Sequence, residues 1–345
     1  MHIYKATVLI FAVQTIATVV ASSIVLPEPK LVLSNDDDHY NEKRCADVDC
    51  LYRIRSKGSL NTKDFTLYLE NSQGVPISIF HDLPLQPMTR SDPDIFNMVV
   101  EIPRWSFGKW ETNKETVMNP IKQDCEKNGT LRFLPNLFPI RGYPVNYGAF
   151  MQTFEDPHYI TPETGTKGDN DPIDVVELSE TPGYIGQVKQ VKILGGLCLI
   201  DQHATDWKVV TIDIKDPMAQ NIDNMDDVEQ YYPGLQDVIR NWYRDYKVPS
   251  TGHQNTFGFA DRYLDKEYMT SVIYETHGLW RALINGKTDR NVIQTATLTN
   301  KNSPYKVNAN SPEVRSVPKN DPQPSTPPPE KYQRWSFVPS SKDQS

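Results

Sequence analysis

Residues 168–174 read Gly-Asp-Asn-Asp-Pro-Ile-Asp, which places Asp169, Asp171 and Asp174 close together around a proline. That is too much negative charge for a packed core, and more than a solvated turn needs. Asp, Asn, Gly and Pro favour turns, so an acidic surface turn is the plain alternative. Hard divalent cations such as Mg²⁺ take oxygen ligands, often one or two carboxylates with waters and substrate phosphate. A calcium loop counted from Asp169 would need glycine where Asp174 stands, and Pro172 interrupts it. The run points to a metal-dependent phosphoryl site, provided that matching groups occur elsewhere.

They do. Downstream lie Asp201, Asp206 and Lys208 in Asp201-Gln202-His203-Ala204-Thr205-Asp206-Trp207-Lys208. Upstream lie Glu101, Lys109, Glu111 and Arg132, and Gly142-Tyr143-Pro144-Val145-Asn146-Tyr147-Gly148 adds two tyrosines. Tyr246-Lys247 closes a later helical pattern. Each residue alone reads as surface charge or packing. Together they offer many oxygen ligands and several cationic or hydroxyl donors.

With these residues in order, the chain resembles a soluble family I inorganic pyrophosphatase of the animal and fungal type. The likeness runs from about Phe65 to Ile284, with an echo in Trp335-Ser336-Phe337. It rests on Gly168–Asp174 continued by Val175-Val176-Glu177, on Asn146-Tyr147-Gly148-Ala149-Phe150, on Gly186-Gln187-Val188-Lys189 and on Thr205-Asp206-Trp207-Lys208. The resemblance implies a mainly β (α+β) fold, an OB-like five-stranded closed barrel with flanking helices and the site at its mouth. It implies hydrolysis of pyrophosphate with several Mg²⁺ ions per site, and a homodimer. Asp169, Asp174 and Asp206 match tight metal ligands, and Glu111 and Asp201 match ligands of ions that arrive with substrate. Glu101 lies beside them as a supporting carboxylate. Asp171 matches the general base. Lys109, Arg132, Lys208, Tyr246 and Lys247 match phosphate-binding groups. Tyr143 and Tyr147 match site tyrosines, with proton donation by Tyr143 left open. The chemistry agrees: a divalent pair generates a nucleophile near neutral pH and screens the charge of pyrophosphate, and guanidinium geometry suits phosphate.

These groups need a scaffold. Phe65 to Leu69 alternates with period two, Asn71-Ser72-Gln73-Gly74 supplies a turn, and Val75 to Phe80 would return. Phe96 to Ile102, Leu131 to Phe133, Gln187 to Ile200 and Trp207 to Ile214 are further strand candidates. Many short strands with polar turns predict a small closed barrel. Leu235, Val238, Ile239, Trp242 and Tyr246 fall at helical spacing after Pro233-Gly234, and Val272, Ile273, Thr276, Trp280 and Leu283 make a second stripe.

Residues 58–285 are thus the expected pyrophosphatase domain. Residues 24–57 read as a polar lead-in. Residues 286–345 read as an extended tail, with eight prolines from Pro304 to Pro329, whose end docks back at Trp335. Residues 1–23 read as a signal peptide: Lys5 precedes an uncharged stretch that ends in Val20-Ala21-Ser22-Ser23. That predicts the secretory pathway, against the family's usual cytoplasmic setting. Cys45 and Cys50 could pair in an oxidising lumen, and Asn128-Gly129-Thr130 would be a glycosylation acceptor there. The formal charge of −8 argues against nucleic acid. Bound cations reconcile that acidity with a phosphate substrate.

Overall fold

The computed structural model describes residues 51–88 and 93–338. Residues 1–23, Cys45 and Cys50 lie outside the described residues.

Five strands close into a ring: β3 (Ile95–Ile102), β6 (Asn146–Phe150), β7 (Asp174–Glu177), β8 (Val188–Asp201) and β9 (Ala204–Asp213). Around the ring, β3 pairs with β6, β6 with β7, β7 with β9, β9 with β8, and β8 with β3 again. All pairings are antiparallel except β7 with β9. The expected OB-like barrel is therefore present. Gly148 of β6 is required by closeness, since a Cβ there would lie 1.8 Å from the Val99 carbonyl oxygen. The β3–β6 register shifts between Val100 and Ile102, which leaves Glu101 as the extra residue. Bulges of this kind re-aim a side chain.

Three layers cover the barrel, which explains why its strands are buried along nearly their whole length. One is a sheet of β1 (Tyr52–Gly58), β2 (Thr66–Asn71), β4 (Trp110–Thr112) and β5 (Ile121–Gln123). Its Leu67, Leu69, Trp110 and Ile121 pack with Val99 and Ala149. Short α1 (Met225–Tyr231) leads to α2 (Leu235–Asp245), which buries Ile239, Trp242 and Tyr243 against Val176 and Val210. The third layer is α3 (Lys266–Ile284), capped by Asp265, whose carboxylate accepts the Tyr268 N–H at 2.7 Å. Its Met269, Val272 and Ile273 pack on Val191 and Val209.

Four expectations change. The segment 24–57 contains strand β1, because Tyr52 and Ile54 face the core while Arg53 and Lys57 stay exposed. The charged half of that alternation hides the strand. The return strand from Val75 stops at Ile77, where Ser78 caps one helical turn, Ile79–Asp82. Leu131 to Phe133 makes only isolated bridges, to Cys125 and Gly108. Residues after 286 do contribute to the core: Ile293, Val314 and Val317 are buried. What binds this segment is mostly polar. The buried Asp82 carboxylate accepts the Thr297 hydroxyl at 2.6 Å and the N–H groups of Leu298 and Thr299 at 2.9 and 3.0 Å. Asp321–Pro322 then pairs with β1, and Trp335–Ser336 with Asn136–Leu137.

His81 joins α3 to this segment. Trp280 Nε1–H donates to His81 Nδ1, and His81 Nε2 faces the Gln294 carbonyl, both at 3.0 Å. These partners require the neutral Nε2–H tautomer. Burial lowers the His81 pKa from 6.5 to about 4, with Asp82 partly opposing. Between those values the unfolded chain binds the proton and the folded protein does not. The contribution is therefore intact above pH 6.5 and lost as pH falls through the window. Denaturant unfolding across that window should show about 1.4 kcal/mol less stability per pH unit from this group. His81→Asn should remove that part of the slope; an unchanged slope would exclude His81 as its source.

Candidate active site

The two strands that carry most of the site are neighbours through a hairpin. The β8–β9 turn reverses at Gln202 and His203, whose φ angles of 48° and 68° are left-handed. A two-residue turn of this hand matches the strand twist. It puts Asp201 at the end of β8 and, by strand alternation, Asp206 and Lys208 on one face of β9. Lys208 is then the register partner of Asp174 on β7.

The acidic run is pinned to the chain at Glu155. Asn170 N–H donates to the Glu155 carbonyl and Glu155 N–H to the Asp171 carbonyl, both at 2.9 Å. Asp169 turns the run by accepting the Asp171 N–H at 3.0 Å. Gly168 has no substitute here: a Cβ would lie 2.3 Å from the Glu155 carbonyl group.

All fourteen residues expected from the sequence line one cavity of about 390 Å³. They are Glu101, Lys109, Glu111, Arg132, Tyr143, Tyr147, Asp169, Asp171, Asp174, Asp201, Asp206, Lys208, Tyr246 and Lys247. Lys208 Nζ donates to both Asp206 oxygens, at 2.6 and 2.7 Å, and to Asp174. Its ammonium lies 5.6 Å from the Tyr147 ring centre and 5.4 Å from that of Tyr243. Lys247 pairs with Asp201, Lys109 with Glu111, and Arg132 with Asp124 at 2.9 Å. Glu101, aimed inward by the bulge, accepts the Thr112 N–H and hydroxyl at 2.7 Å each.

The cost of this crowding appears in the proton affinities. Burial pushes Glu101 up to about 8 and Asp206 up to about 7. Burial, then the charges of neighbouring carboxylates, hold Asp169 and Glu155 well above the usual range. For Lys208, burial favours the neutral form, but Asp174 and Asp206 more than reverse it and keep the ammonium charged. Burial raises Tyr143 and Tyr147, which stay neutral hydroxyls.

One group fits a divalent cation directly. Ligand oxygens of Glu155, Asp169 and Asp206 lie within 4.8 Å of one another. Glu155 Oε1 accepts the Trp207 N–H at 3.1 Å, while its Oε2 is buried without a partner. An unpaired buried carboxylate oxygen is costly unless a cation or donor meets it. No His or Cys lines the cavity, so the donor set is oxygen only.

Four residues here escaped the sequence reading. Glu155 is separated from the acidic run, and nothing local marks it. Lys114, which pairs with Asp171 and donates to the Asn170 carbonyl at 2.9 Å, lies just beyond Glu111 and continues that block. Asp124 orients Arg132. Tyr243 lines the cavity beside Lys208, from a helical stripe that reads as packing alone.

A closed barrel with clustered carboxylates facing ammonium, guanidinium and phenol groups defines a metal-assisted hydrolase of phosphate anhydrides. The comparisons agree. Residues 98–281 match the family model described as inorganic pyrophosphatase. An inorganic pyrophosphatase of Zygosaccharomyces bailii is 45% identical over 289 residues, spanning 83% of this chain and 98% of that relative. One from Schizosaccharomyces pombe is 49% identical over 238 residues, 69% of this chain and 81% of that relative. The solved inorganic pyrophosphatase from Schistosoma japonicum matches with a TM-score of 0.76 and 38% identity, over 83% of this chain and 100% of that one. The chain belongs to the inorganic pyrophosphatase family.

Lys208→Met should leave Asp174 and Asp206 buried without their cation. Breaking a buried pair in this way costs about 3–5 kcal/mol. Unfolding in chelator should show that loss, and added Mg²⁺ should recover more stability in the variant than in the wild type. Equal metal stabilisation of both proteins would contradict the ion-pair account.

Proposed function

We propose that this protein is an Mg²⁺-dependent inorganic diphosphatase, which hydrolyses pyrophosphate to two phosphates and so draws forward pyrophosphate-releasing synthesis. The observation that carries the reading is the pairing of each cavity lysine with a carboxylate in one oxygen-lined cavity. In the loaded site the carboxylates would hold cations, and the ammonium groups so freed would hold the phosphate.

Asp169, Asp174 and Asp206 would hold the tight ions, with Glu155 as a further ligand, and Glu111 and Asp201 would hold those entering with substrate. Bound there, the ions screen the substrate's charge and make a water nucleophilic near neutral pH. The oxygen-only donor set supports Mg²⁺ over softer metals. Arg132, Lys109, Lys208, Tyr246 and Lys247 would together hold the two phosphoryl groups. Glu101, held by Thr112, supports the wall between Glu111 and Asp174. Asp171 accepts the proton of the attacking water. Burial raises the pKa of that carboxylate, and the Lys114 ammonium opposes the rise.

Chelation should abolish phosphate release from pyrophosphate, and Mg²⁺ should restore it; a rate indifferent to chelator would defeat the reading. Asp171→Asn keeps the size of the side chain and should lower kcat about 10²–10⁴-fold, the usual scale of general-base catalysis. Recovery of kcat at high Mg²⁺ would instead make Asp171 a ligand.

The homodimer reading is supported by an exposed aromatic patch. Phe138, Trp335 and Phe337 are 60%, 44% and 74% exposed, and the Phe138 ring meets both of the others. Exposed apolar patches mark association surfaces. Trp335→Ala should shift sedimentation toward the monomer. Among the described residues no helix is long and apolar enough to cross a membrane. We read residues 1–23 as a signal peptide that directs export, with the cytoplasm as the alternative. A native N-terminus near Ser22 or Ser23 supports export, and an intact Met1 the cytoplasm.

A further inference from the structure

Tyr243 and Tyr143 form a hydroxyl pair at the cavity wall. The Tyr143 hydroxyl donates to the Tyr243 hydroxyl oxygen at 3.0 Å. A phenol has one proton to give, so in this arrangement Tyr143 has none left for a ligand. The proton of Tyr243 has no acceptor among the described residues, and its side chain lines the cavity. Both rings are buried, at 1% exposure for Tyr243 and 4% for Tyr143. They meet edge to face with centres 6.1 Å apart, which fixes their mutual orientation. On its other side, the Tyr243 ring meets the Lys208 ammonium at 5.4 Å.

We propose that Tyr243 presents the hydroxyl proton to a phosphoryl oxygen of bound pyrophosphate, and that Tyr143 is the positioning residue that donates to it. This rests on the pyrophosphatase reading and goes beyond it by giving helix α2 a substrate-facing hydroxyl besides that of Tyr246, with Tyr143 of the loop before β6 behind it. The arrangement has a physical advantage. A hydroxyl whose oxygen already accepts a hydrogen bond is polarised and donates more strongly. The oxygen of Tyr243 is held by Tyr143 and its ring by Lys208, so little freedom is lost when the anion binds.

The test uses Tyr243→Phe, Tyr143→Phe and the double variant of the full chain. Each keeps its ring, so the Lys208 cage and the packing survive; melting curves check this. Two readouts are taken: pyrophosphate hydrolysis at saturating Mg²⁺, and calorimetric binding of the non-hydrolysable imidodiphosphate. Hydrolysis by the wild type tests the parent reading separately. A hydrogen bond to a charged group is worth about 1.5–3 kcal/mol, which at about 1.4 kcal/mol per decade is roughly a 10- to 150-fold loss. Tyr243→Phe should weaken imidodiphosphate binding by that factor and lower kcat/KM for pyrophosphate alongside. Tyr143→Phe should cost less than about 10-fold, because Tyr243 keeps its own proton. The double variant should be no worse than Tyr243→Phe alone. The proposal is overturned if Tyr143→Phe carries the larger loss, if the two losses multiply, or if Tyr243→Phe binds imidodiphosphate as the wild type does.

Discussion

The organising constraint in this molecule is the repulsion among carboxylates gathered at one end of a small barrel. Asp169, Asp174, Asp206 and Glu155 are brought together by three separate stretches of chain, and like charges in a poorly hydrated space drive one another toward the neutral acid. Lys208 is the local answer: one ammonium shared by two carboxylates, itself boxed between two phenol rings. Other cation–carboxylate pairs repeat the device around the rim. The carboxylates of the cavity still outnumber its cations, which leaves a negative charge that bound metal cations would offset.

The barrel makes that balance possible. A bulge at Glu101, a two-residue reversal at Gln202 and His203, and the bare backbone of Gly168 are local departures from regular strand geometry. Each turns a side chain or a carbonyl toward the cavity. The apolar layers outside the ring hold these irregularities in place, because the surrounding strands are packed on both faces.

The residues that line the cavity were readable because most come in short blocks whose charge has no use in a core. Strand and helix patterns were equally plain where one side of the alternation is apolar, as in Phe96 to Ile102 and in the stripe from Val272 to Leu283. What stayed hidden shares a cause. Glu155, Lys114 and Tyr243 owe their places at the site to partners in other stretches of the chain, and only Lys114 stands beside a block that the sequence marks. β1 was masked by Arg53, Arg55 and Lys57. The segment after 286 was misjudged because its attachment is made of hydrogen bonds to Asp82 and short strand pairings, which hydrophobic periodicity cannot register.

That attachment bears on how the protein is made. β1 is among the first described residues to leave the ribosome, yet its partner on one edge, Asp321–Pro322, follows more than 260 residues later, as the Ser56–Asn320 hydrogen bond shows with its separation of 264. The loop carrying Arg132 is likewise flanked by the late-arriving Tyr332, whose ring stacks on Phe133. Contacts of such long range are slow to form. The barrel can condense while translation continues, but the wall around Arg132 is finished only once the last stretch of the chain has been released. A nascent chain stalled before that point would carry the clustered carboxylates with an unfinished wall beside Arg132.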